Sequence, residues 1–180
     1  MSPVQISPSG HADAAIFASW MRETGGLIAK HWACDRFDPM GDAELPAVSI
    51  LVGGAALAGF FPAAEYKLKK NTAEGQRLGR ADLWFDTSEG DRSFEFKFWR
   101  NQHWGLEDLK TTMKFAISCA SQIPRNEAKR IFAGTIARIH HDGAEDACIK
   151  LAEGMDFCYQ FSAEGYKLYL IFKDVTRQTQ

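Results

Sequence analysis

The stretch GRADLWFDTSEGDRSFEFKFWR, residues 79 to 100, decides how this chain is read. Residues 93 to 99 alternate without exception, and a period of two is that of a β-strand whose side chains point to opposite faces in turn. Phe94, Phe96 and Phe98 therefore share one face, and Glu95, Lys97 and Trp99 share the other. In the preceding strand, residues 80 to 86, Ala81, Leu83 and Phe85 form the apolar set and leave Arg80, Asp82 and Trp84 opposite. TSEGD supplies the turn. If it centres near Glu89-Gly90, antiparallel pairing sets Asp82 across from Glu95 or Lys97, with facing Cβ atoms about 5 Å apart.

Charge inside a run of phenylalanines and tryptophans needs a reason, because strand interiors disfavour unpaired charge. Two carboxylates held this close repel, which raises one pKa or demands a cation, and Lys97 supplies only part of the compensation. A divalent ion supplies the rest: Mg²⁺ takes oxygen ligands and keeps several waters, which suits two carboxylates and a backbone carbonyl. Lys97 then orients or deprotonates the attacking water, or neutralises charge building on a phosphate. The plainer alternative is a cross-strand salt bridge on a solvated face, worth little. Trp84 and Trp99 on the same face argue instead for a partly covered cleft.

Outward from this hairpin, Ile16, Phe17, Trp20, Met21, Thr24, Leu27, Ile28 and Trp32 recur at helical spacing, predicting a helix over 11–32 with a potential break at Gly25-Gly26. CDRFDPMGDAELP reads as a loop. The uncharged run LPAVSILVGGAALAGFFPAA, residues 45 to 64, is close to membrane-spanning length. Its prolines, glycines and alanines predict a buried helix instead, ended by Phe60-Phe61-Pro62. An extended piece comes next, around Glu65 to Lys69. Leu106, Leu109, Met113, Ala116, Ile117 and Ala120 mark a helix from Gly105 to Ser121, residues 130 to 139 a strand, and residues 157 to 175 a hairpin turning at Ala163-Glu164-Gly165. His140-His141 before Asp142-Gly143 reads as a strand end and turn. The sum is one α/β (α+β) domain over residues 1 to 180, a mixed central sheet flanked by helices.

With 46% apolar residues the 180-residue chain can bury one sizeable core, and its net charge of −2 excludes bulk electrostatic gripping of nucleic acid. Cys34, Cys119, Cys148 and Cys158 lie far apart and form no metal or disulfide pattern, so reduced thiols are expected. The opening MSPVQISPSGHADA lacks a signal-peptide pattern, and a cytoplasmic location is expected. No zinc-protease, P-loop, nucleophile-elbow or dinucleotide motif is present.

Glu65, then GRAD ending at Asp82, then FEFK with Glu95 and Lys97, resembles the PD-(D/E)xK nuclease superfamily with its restriction-endonuclease-like fold. The resemblance covers roughly residues 45 to 140, leaving the helix 11–32 and the hairpin 157–175 as additions. It implies a nuclease core hydrolysing phosphodiesters, DNA more readily than RNA, with Mg²⁺ or Mn²⁺ held by Asp82, Glu95, the Phe96 carbonyl and Glu65. It places Glu65 near the end of the first core helix and gives Lys97 the attacking water. The family's Pro before the Asp is replaced by Ala81, a position that does no chemistry. A further polar residue is implied on the next helix, with Lys110 and Lys114 as candidates. Lys67, Lys69, Lys70, Arg77, Arg80 and Arg100 gather positive charge for a nucleic-acid backbone. Residues 100 to 104 either touch substrate or cap a helix. A homodimer cutting two strands is open, and so is a non-catalytic nucleic-acid- or protein-binding module that retains the fold.

Overall fold

The computed structural model describes residues 1–7, 10–34, 38–40, 43–99, 105–139 and 143–176. Along these the elements are β1 (Val4–Gln5), α1 (Ala14–Ala33), α2 (Glu44–Leu57), β2 (Phe61–Thr72), β3 (Gly75–Thr87), β4 (Gly90–Trp99), α3 (Leu106–Ala120), β5 (Arg130–Ile139), α4 (Gly143–Ala152), β6 (Phe157–Ala163) and β7 (Tyr166–Asp174). The strands make one mixed sheet in the order β1-β6-β7-β5-β4-β3-β2. Among the described residues only β4 and β5 run parallel, and α3 is the crossover such a pair requires. No helix among the described residues is long and apolar enough to cross a membrane.

Both faces of the sheet are covered. Phe94, Phe96, Leu83, Phe85, Phe132 and Phe172 pack with α1 and α2 residues such as Phe17, Trp20 and Leu51. On the other face Trp99, Ala133, Ala137 and Ile171 pack with Leu109, Met113 and Ala116 of α3 and Cys148 of α4. The expectation that β4 has one core face and one face given to chemistry is therefore corrected: Trp99, 1% exposed, is core as well. Flanked by β5 and β3, β4 is an interior strand.

The helix expected over residues 45 to 64 is shorter. Gly59, at φ +83°, accepts the left-handed conformation that closes α2; its N–H donates to the Ala56 carbonyl at 3.1 Å, and the Phe60 N–H donates to the Ala55 carbonyl at 3.0 Å. The chain is thus free to enter β2 at Phe61. Helix α1 runs unbroken through Gly25-Gly26, where a side chain on Gly25 would meet the Met1 carbonyl at 2.6 Å. The Trp20 indole donates to the Leu51 carbonyl at 2.8 Å and fixes α1 to α2. Strand β1 and helix α4 were not expected from the sequence, and residues 140 to 142, read there as a turn, lie outside the described residues.

The hairpin β2–β3 holds the second correction. Ala81 does not share a face with Leu83 and Phe85: it packs on the α3 side with Leu68, whereas Leu83 and Phe85 pack on the α1 side. The pairs Ala64↔Leu83 and Tyr66↔Ala81 keep one register, but Glu65 between them takes φ +49°, and Glu65 and Asp82 make no ladder pair. A left-handed residue in a strand rotates the chain beyond it. The outer half of the hairpin turns toward α3, where the Asn71 N–H donates to the Gln122 carbonyl at 2.7 Å.

Candidate active site

The β3–β4 ladder begins at Thr87↔Gly90 and stops at Leu83↔Phe94. One step further the register would pair Asp82 with Glu95. There the strands part, and the Asp82 carboxylate takes the place of the missing backbone bond, its Oδ2 accepting the Phe96 N–H at 2.6 Å. Beyond this fork stand Glu95, 3% exposed, and Lys97, whose ammonium donates to the Phe96 carbonyl at 2.5 Å and lies 5.8 Å from the Phe115 ring of α3. The fork brings Asp82, Glu95 and Lys97 into one charged group.

Burial pushes both carboxyls upward. Glu95 rises to about 7, first because it is desolvated and then because the Asp82 charge opposes its ionisation; the ammonium of Lys70 counters in part. Asp82 is also raised by desolvation and by Glu44, against the Phe96 N–H and the Lys97 and Lys70 charges. For Lys97 burial disfavours the charge, but Asp82, Glu44 and Glu95 outweigh it and hold the ammonium above its ordinary pKa. Lys97 here is a cation rather than a base.

Two residues enter that the sequence did not assign to the acidic cluster. Glu44, in the first turn of α2, receives the Lys97 ammonium at 3.4 Å on Oε1 and the Phe98 N–H at 3.3 Å on Oε2. An acid at a helix N-terminus was the available signal. It was missed because CDRFDPMGDAELP reads as loop. Lys70, expected only as a backbone-binding cation, donates directly to Glu95 Oε1.

Glu65 is placed differently from its expectation. It lies within β2 rather than at a helix end, and its Oε2 accepts from Arg80 at 3.1 Å with both side chains largely exposed. Lys110 and Lys114 are not the groups α3 turns toward the site: Lys110 pairs with Glu107 at 2.7 Å, and Lys114 is exposed. Phe115 and Cys119 lie nearer, the thiol held above its usual pKa by burial and feeling the charges of Lys97, Glu95, Lys70 and Asp82. The basic patch divides. Lys67 faces Arg80 and Lys69 faces Leu78 on one side of the hairpin, while Lys70 and Arg77 pair on the other. Arg100 lies outside the described residues.

Among the described residues no three His, Cys, Asp or Glu side chains form a group able to hold a metal by themselves. The donors present still fit a hard cation that keeps waters and shares substrate oxygens: the buried Glu95 carboxyl, the half-buried Asp82 whose charge opposes its ionisation, and the Phe96 carbonyl beside them. No protein-family model matches the sequence, and neither a curated protein nor a solved structure matches it.

Proposed function

We propose that this protein is a Mg²⁺- or Mn²⁺-dependent nuclease with a restriction-endonuclease-like core, hydrolysing phosphodiester bonds in nucleic acid, DNA in preference to RNA. The observation that carries this reading is the fork between β3 and β4, where a buried and a half-buried carboxyl, both held above their ordinary pKa chiefly by desolvation, stand beside an ammonium. The order α2, β2–β3–β4, α3, β5 agrees with the helix, strands, helix, strand that the resemblance implies.

Asp82 and Glu95, with the Phe96 carbonyl, are the residues that hold the cation. A bound divalent ion supplies Lewis-acid activation of water and charge neutralisation at phosphate. Lys97, kept protonated by Asp82, Glu44 and Glu95, stabilises negative charge as it builds on the phosphate oxygens. Glu44 holds that ammonium at the end of β4.

The test is nicking of supercoiled plasmid in Mg²⁺ or Mn²⁺ by the wild type, Asp82→Ala and Lys97→Ala. Each variant is expected to lose about a hundredfold or more in rate. Equal rates in all three sink the catalytic reading. The Lys70–Glu95 ion pair, which already compensates one acid, favours a second reading: a non-catalytic nucleic-acid- or protein-binding module. That reading predicts no nicking, and oligonucleotide binding indifferent to divalent ions.

A further inference from the structure

The Lys70–Glu95 pair is a long-range contact between the edge strand β2 and the interior strand β4, with side chains 14% and 4% exposed. A lysine on an edge strand ordinarily projects into water, where it blunts the edge. Lys70 instead turns inward because the rotation at Glu65 carries the outer hairpin over α3. Its stem crosses Gly79, where even a β-carbon would lie 3.0 Å from Lys70 Cδ. The seat is thus shaped for the lysine stem.

Beside it opens a groove of about 450 Å³, lined by Lys70, Thr72, Glu74, Arg77 and Gln122 among others. Arg77 stands opposite Lys70 in the ladder, so the wall carries two cations against one acid. A divalent ion on Glu95 and an ammonium on the same carboxylate repel at contact distance, and a flexible four-carbon stem with an open groove carrying Arg77 next to it gives the ammonium a place to go.

We propose that Lys70 is a tethered counter-ion: it holds Glu95 until a divalent cation displaces it, and then turns into the β2–β3 groove to bind, with Arg77, a phosphate of the nucleic-acid strand. This rests on the nuclease reading and adds a positioning residue to it. It explains why an interior acid is compensated from an edge strand rather than by a fixed neighbour. The displacement couples cation binding to substrate binding.

The direct test is a crystal structure with Mn²⁺. The ion is expected on Asp82 and Glu95 with the Lys70 ammonium out of hydrogen-bonding reach of Glu95; an ion there with the Lys70 contact intact overturns the proposal. Absence of any ion at these acids removes the nuclease reading as well, which separates the two failures. Calorimetry at pH 8 supplies an independent readout: Lys70→Gln should bind Mn²⁺ about tenfold more tightly than wild type, the scale of one charge-assisted hydrogen bond, while Lys70→Arg should not. Unchanged affinity in Lys70→Gln contradicts the proposal. In the Lys97→Ala background, Lys70→Gln should weaken binding of a single-stranded oligonucleotide in Mn²⁺ and leave it unchanged in EDTA; equal loss under both conditions contradicts the turn toward phosphate.

Discussion

Glu95 shows at the residue scale what the site costs the fold. Its carboxyl titrates near 7 in the folded chain and near 4.5 when unperturbed, so folding takes up a proton between these values. Stability from this group is complete below about pH 4.5 and is lost as pH rises through 7, a difference of about 3 kcal/mol. Asp82, also raised, acts in the same direction. In EDTA, thermal melts of the wild type should fall between pH 5 and pH 8, and Glu95→Gln should flatten most of that fall; a variant with the wild-type slope would show that the burden lies elsewhere. Saturating Mg²⁺ should restore stability at pH 8, because the cation requires the ionised form. Asp82, Glu95 and Lys97 were legible in the sequence because a period of two and a short turn suffice to set them together. Glu44 and Lys70 were not: Glu44 arrives from a helix far from the fork in sequence, and Lys70, on the strand before β3, reaches Glu95 only because the β2–β3 hairpin rotates at Glu65.

At the scale of elements, the rotation within β2–β3 explains most of the difference between expectation and structure. Alternation assigns Ala81 to the face of Leu83 and Phe85, which holds only for a strand without a left-handed residue beside it. Glu65 at φ +49° interrupts the ladder, and nothing in PAAEYKLKK marks that position, because glycine or asparagine is the usual sign. Glu65→Gly should therefore relieve strain at the loss of one exposed ion pair with Arg80, stabilising the protein by about 1 kcal/mol, or roughly 2–4 °C in Tm. A fall in Tm by calorimetry would contradict this account of the kink. Helix α2 teaches a related lesson: its uncharged sequence continues past Gly59, so composition places the boundary too late, whereas the backbone bonds of Gly59 and Phe60 set it. Helix α4 went unseen because GAEDACIKLA is short and its apolar positions are too few to fix a period.

For the molecule as a whole, the two ends of the parallel pair β4–β5 are built differently. At the entry end Arg92, 1% exposed, holds Asp13 through bonds of 2.8 and 3.2 Å, and Arg130 joins Asp174 at 2.9 Å with His11 at 3.1 Å on the same carboxylate oxygen. Those charges are matched partner to partner. At the exit end, Arg138 is likewise matched, its guanidinium on Asp38 at 2.9 Å and over the Tyr166 ring, but among the described residues Asp82, Glu95 and Glu44 face Lys97 and Lys70 with one acid in excess. The mixed sheet and the helices α1 and α3 were legible from hydrophobic period and α2 from composition, whereas α4, the second buried face and the charge inventory of each end depend on contacts between elements distant in sequence. This end, beside a fork in the ladder, is the place proposed above for a divalent cation. Titration calorimetry of the intact protein with Mn²⁺ tests this most directly: the account predicts a single site in the wild type that Glu95→Gln abolishes, and no binding by the wild type, or equal binding by both, would contradict it.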